Sequence, residues 1–119
     1  SSGGGFTPLP IPGGITSNLY DVWGTSGAVW MVADNAVYRY ASSSYTTLPA
    51  PPVSGLRAVS GSGPGDLWVA GLGGVLARYN GSTWTREKTG VATDLLSVQI
   101  SGTRAWLAGS NGTVLRKIL

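Results

Sequence analysis

Between residues 56 and 88 the chain alternates short apolar runs with glycine-rich punctuation. Leu67-Trp68-Val69-Ala70 leads into Gly71-Leu72-Gly73-Gly74, then into Val75-Leu76-Ala77-Arg78-Tyr79, and then into Asn80-Gly81 ahead of Ser82-Thr83-Trp84-Thr85. Apolar runs of this length between glycines read as strands, and Asn-Gly between two such runs is a strong hairpin signal. With the run that starts at Leu56, the stretch predicts four antiparallel strands: a over 56–60, b over 67–70, c over 75–79 and d over 83–87. Gly61 to Gly65 is the expected a–b turn, Gly73-Gly74 the b–c turn and Asn80-Gly81 the c–d turn. The runs are apolar on both sides of the strand, so the sheet needs a packed layer on each face.

The same pattern occurs elsewhere in the chain. Trp30, Trp68 and Trp106 stand 38 residues apart in both steps. A Leu-x-x-Val pair precedes each one (Leu19/Val22, Leu56/Val59, Leu95/Val98), and a run ending in Arg39, Arg78 or Arg116 follows it. Six residues beyond the first two arginines lie the aromatics Tyr45 and Trp84. Repetition at this period marks a solenoid, a propeller or an array. Four-stranded blades stacked around a hub give each blade a layer on both sides, whereas a β-sandwich would not repeat the same four strands at constant spacing. The expected fold is therefore all-β, a β-propeller with three blade equivalents in the single unit 1–119. Residues 19–48 form blade 1, 56–88 form blade 2, and 95–119 form strands a to c of blade 3. Residues 6–10 align with strand d, placing Phe6 at the Tyr45/Trp84 position.

Propellers close with 4 to 8 blades, because every blade packs face to face with two neighbours. Three blades leave an apolar face bare at each end of an arc. Two copies joined head to tail make six, with strand d of one copy completing a blade of the other, so a homodimeric ring is expected. The alternative is a segment of a longer propeller.

Composition narrows the chemistry. Histidine and cysteine are both absent, which removes disulfides, thiolates, the usual transition-metal ligands and the commonest general base. The acids Asp21, Asp34, Asp66, Glu87 and Asp94 form no pair at catalytic spacing, so no enzyme activity, metal or cofactor is expected. A net charge of +3 with scattered Lys and Arg makes no basic stripe for nucleic acid, and no apolar run approaches a membrane span of ~18 residues. The low-charge, Gly/Ser/Thr-rich composition suggests an extracellular or periplasmic setting.

The copies resemble bacterial β-propeller repeats with the pattern D-L-W-V-x-G-x-x-G-x-[VIL]-x-R-Y-x-G-x-x-W, which the middle copy matches from Asp66 to Trp84. The first copy departs from it, with Ala33-Asp34-Asn35-Ala36 in place of the glycines, and the third matches through Trp106, Gly109, Gly112 and Arg116. These are turn and packing residues, so the resemblance implies a fold rather than a chemistry. In assembly logic the chain is similar to small lectins that build a six-bladed propeller from short repeat chains.

Residues that recur have a recurring structural task, so function is sought where copies differ. The three arginines are read as bracing their own blades and the three tryptophans as core. Trp23 corresponds to Ser60 and Gln99, and Tyr20 to Arg57 and Leu96, all on the innermost strand. Trp23, Tyr20 and Arg57 are the expected ligand-binding residues, with a carbohydrate stacked on an aromatic ring the expected ligand. The expected function is a non-enzymatic, self-assembling binding module. The second reading is a structural or protein-interaction scaffold, either part of a larger propeller or an engineered one without a natural ligand.

Overall fold

The computed structural model describes residues 18–118, apart from 26, 43, 50 and 64, so the expected strand at 6–10 lies outside the described residues. The first sheet contains β1 (Asp21–Gly24), β2 (Val29–Val32), β3 (Val37–Ala41) and β4 (Ser44–Thr47), paired antiparallel in chain order. The second repeats this with β5 (Leu56–Gly63), β6 (Asp66–Gly71), β7 (Leu76–Tyr79) and β8 (Trp84–Glu87). The third has β9 (Leu95–Ser101), β10 (Arg104–Gly109) and β11 (Val114–Ile118). These are the three expected blades. Strands β1 and β9 both pack on β5, so strand a of each blade lies at the hub.

The longest departure from expectation is β5. Gly61 to Gly63 continues the strand where a turn was expected, with Gly61 opposite Leu67 and Gly63 opposite Asp66 across a bulge. Glycine permits this because a side chain at Gly61 would run into the Asp66 carbonyl oxygen. The b–c turns are single 3-10 turns at Leu72–Gly74 and Ser110–Gly112. Their central residues, Gly73 (φ 73°) and Asn111 (φ 59°), occupy the left-handed region, which glycine and asparagine tolerate best. The c–d turn of blade 2 is held by the Asn80 side chain, whose Oδ1 accepts from the backbone N–H groups of Ser82 (2.9 Å) and Thr83 (2.8 Å).

Burial along the b strands shows how the blades stack. In β6 every residue from Leu67 to Gly71 is buried. In β2 the buried positions are Trp30 and Val32, and in β10 they are Ala105 and Leu107. Successive strand residues face opposite sides, so among the described residues the middle blade is covered on both faces and each outer blade on one. Trp30, Val32 and Val37 of blade 1 meet Val59, Leu67, Val69 and Tyr79 of blade 2 in one core layer. Trp68, Ala70 and Leu76 of blade 2 meet Val98 and Leu107 of blade 3 in the other. The expectation of three core tryptophans needs one correction. Trp30 (1% exposed) and Trp68 (0%) are buried, but Trp106 is 41% exposed because its side of blade 3 has no neighbour among the described residues.

Candidate binding surface

The three residues expected to bind ligand do not meet at one point. Trp23 pairs across the strands with Trp30, ring centroids 5.4 Å apart, and packs against the core between blades 1 and 2. Tyr20 and Arg57 do come together, with the Arg57 guanidinium 3.9 Å from the centroid of the Tyr20 ring. Arg57 also donates to the Leu56 carbonyl at 2.7 Å and pairs with Asp34 Oδ1 at 3.1 Å. That ion pair ties the b–c turn of blade 1 to the first strand of blade 2.

Further ties of this kind run round the hub, and two of them use acids in which the sequence showed no pattern. Asp21 Oδ2 accepts from the Val59 backbone N–H at 3.0 Å, and Ser60 Oγ accepts from that of Ile100 at 3.2 Å. Asp94 Oδ1 accepts from the Gly73 backbone N–H at 2.9 Å. Each joins one blade to the next and satisfies a backbone donor that a ladder leaves free. Asp66 works within its own blade, accepting from Arg78 Nε at 2.8 Å and from Ser62 Oγ at 2.6 Å.

The repeated arginines each sit over their own blade's tryptophan. The distances are 5.9 Å for Arg39 on Trp30, 5.1 Å for Arg78 on Trp68 and 5.8 Å for Arg116 on Trp106. They do not converge on a shared anion. Replacing Asp66 with Ala should lower stability by about 1 kcal/mol, since the Arg78 side chain is 46% exposed and water screens the pair. A urea titration measures this. A loss above about 3 kcal/mol would mean that the brace is worth more than a half-exposed pair.

Trp84 is also a packing residue. Its ring lies 4.8 Å from that of Tyr79, and its Nε1 donates to the Pro49 carbonyl at 2.7 Å, reaching across to the end of blade 1. Tyr45 stacks on Tyr40 at 4.7 Å in the same way.

Two kinds of surface remain. One is an open cleft of about 950 Å³ on the side of the b–c turns, walled by Asp34, Asn35, Pro51, Pro52, Gly73 and Arg86. The other is the pair of end faces. On blade 1, Val22 is 59% exposed and lies beside Met31 and the exposed Leu19 and Tyr20. On blade 3, Val114 is 66% exposed and shares a face with Trp106. These positions have buried counterparts inside the chain. Val22 corresponds to Val59 and Val98, while Trp106 and Val114 correspond to Trp68 and Leu76.

No protein-family model matches the sequence, and no curated protein matches it significantly. Solved structures do match. YCF48, in a structure bound to a D1 peptide, aligns with TM-score 0.69 at 17% identity over 91% of this chain. The chain spans 38% of the length of YCF48. The computationally designed Ika4 protein aligns with TM-score 0.58 at 12% identity, over 97% of this chain and 99% of its own. Both are β-propeller-like. The chain has a β-propeller fold. At these identities the likeness concerns fold alone.

Proposed function

We propose that this chain is a non-enzymatic β-propeller module that works by assembling with itself. Two copies join head to tail, and their six blades close a ring that serves as a binding scaffold. One observation carries the reading. The bare face of blade 3 is built from the positions that blades 1 and 2 use to hold their next neighbour, and the bare face of blade 1 from those that receive one. A surface that already recognises its complement twice within the chain can do so a third time between chains, as a heterologous contact that closes when the rotation permits. Exposed apolar patches of this kind mark association sites.

Light scattering on the purified chain at micromolar concentration tests this. The expected mass is twice the 12.2 kDa of one chain. A stable, soluble monomer throughout that range overturns the reading.

For the ligand of such a ring, the cleft beside Pro51, Pro52 and Arg86 favours a peptide over a sugar. Prolines and a guanidinium with no ion pair among the described residues suit an extended chain with an acidic group, and YCF48 is a propeller-like protein with a bound peptide. The Trp23 ring, packed on Trp30 at 5.4 Å, supports a core role rather than a sugar-stacking one.

A further inference from the structure

Among the described residues blade 3 has three strands and nothing pairs with the outer edge of β11. In blades 1 and 2 the same edge is covered by β4 and β8. Their registers agree, Tyr40 lying opposite Tyr45 and Tyr79 opposite Trp84. An open edge strand presents a row of free N–H and C=O groups and is a template for a further strand. We propose that residues 6–9 of a second copy add to this edge, with Phe6 opposite Lys117, so that each chain's leading segment completes its partner's third blade. This rests on the head-to-tail ring proposed above and specifies how that ring is fastened.

The register supplies an independent check. Leu48 N–H donates to the Val37 carbonyl at 2.9 Å, so 37/48 is a hydrogen-bonded pair. By alternation 39/46 is another, while 38/47 and 40/45 are not. Transferred to blade 3, Thr7 opposite Arg116 and Leu9 opposite Val114 are the bonded pairs, and Phe6 and Pro8 face non-bonded positions. Proline has no N–H to give and is accepted in a sheet only where that group would point away from the ladder. Pro8 falls on such a position, as does Pro10, the counterpart of Pro49. A shift by one residue would put both prolines where donors are needed.

The choice of partner follows from the connections. Strand β4 runs on into β5 of the next blade, and β8 into β9, so a fourth strand belongs to the blade before the strand a that follows it. Residues 6–9 precede β1, and the blade before β1 in a head-to-tail ring is blade 3 of the other copy. Leu9 and Leu19 are ten residues apart, against eight for Leu48 and Leu56, which leaves slack for the crossing.

The chain has no cysteine, so a disulfide reports position without background. Facing residues of a non-bonded pair have Cα atoms about 4.5 Å apart, within disulfide reach. Phe6→Cys with Lys117→Cys should oxidise to a covalent dimer on a non-reducing gel, and Phe6→Cys with Arg116→Cys, which points to the other side of the sheet, should not. A monomer-mass internal disulfide, equal linking by both pairs or no linking by either overturns the exchange. Hydrogen exchange on the unaltered chain gives a second readout. The Val114 and Arg116 amides should be protected in the full chain and lose protection when residues 1–10 are deleted. If both amides exchange freely in a wild-type dimer, the exchange is wrong and the ring stands. If the wild type is monomeric, the ring fails first.

Discussion

Trp106→Asp should convert the assembled protein into a folded monomer. Trp106 occupies the repeat position at which Trp30 and Trp68 are buried by the next blade, yet it is 41% exposed in the single chain. In a ring it sits at the centre of the joint between copies, where truncation of a tryptophan anchor typically costs roughly 2–4 kcal/mol. That is about 30-fold to 1,000-fold in the dissociation constant, and a carboxylate adds the cost of desolvating a charge against an apolar face. Within one chain it should change little, because the residue packs less than its two counterparts. The expected result is a halved mass by light scattering with an unchanged circular dichroism spectrum. Met31→Asp on the far face of blade 1 should act likewise, because a head-to-tail joint uses both faces. Mixing the two variants restores one sound joint of two and should give an open dimer. If Met31→Asp keeps the mass of the wild type, the joint is face to face instead. If Trp106→Asp keeps it, the face of blade 3 is not the joint.

How much of this was legible in the sequence varied with the distance between interacting residues. The blades could be read from the 38-residue spacing because cross-strand packing within a blade is local and recurs. The ring-facing arginines were also read correctly, since Arg39, Arg78 and Arg116 each stay with their own blade. The bulged run through Gly61 to Gly63 was hidden, because a glycine cluster signals a turn and a close backbone approach equally well. The hub ties were hidden for another reason. Asp21 reaches Val59 and Asp94 reaches Gly73, in neighbouring blades, and neither acid recurs in the other copies. One signal for the candidate site was available. Tyr20 and Trp23 are three residues apart on the expected strand a, and an odd separation places side chains on opposite faces. In the structure Tyr20 lies just ahead of β1 and meets Arg57, while Trp23 lies within β1 and meets Trp30.

At the matching position in the middle blade the same kind of change should have the opposite outcome. Trp68→Ala should unfold the chain rather than dissociate it. Trp68 is fully buried between blades 2 and 3, against Ala58, Leu95 and Val98 among others. Removing a buried indole costs about 3–5 kcal/mol, a large share of the 5–15 kcal/mol that holds a typical domain together. Trp68→Phe is the informative companion. The buried Nε1–H of Trp68 has no hydrogen-bond partner among the described residues, so phenylalanine relieves an unsatisfied donor while leaving a smaller cavity. The two effects oppose each other, and the net change should stay within about 1.5 kcal/mol, as for near-isosteric apolar exchanges. Urea unfolding of both variants, with mass measured in parallel, decides the matter. A Trp68→Phe loss as large as that of Trp68→Ala would show that the indole N–H is satisfied in solution. A Trp68→Ala chain that stays folded but monomeric would mean that blades 2 and 3 hold together without this core. The repeat would then be a set of equivalent joints, with no distinction between those inside a chain and those between chains.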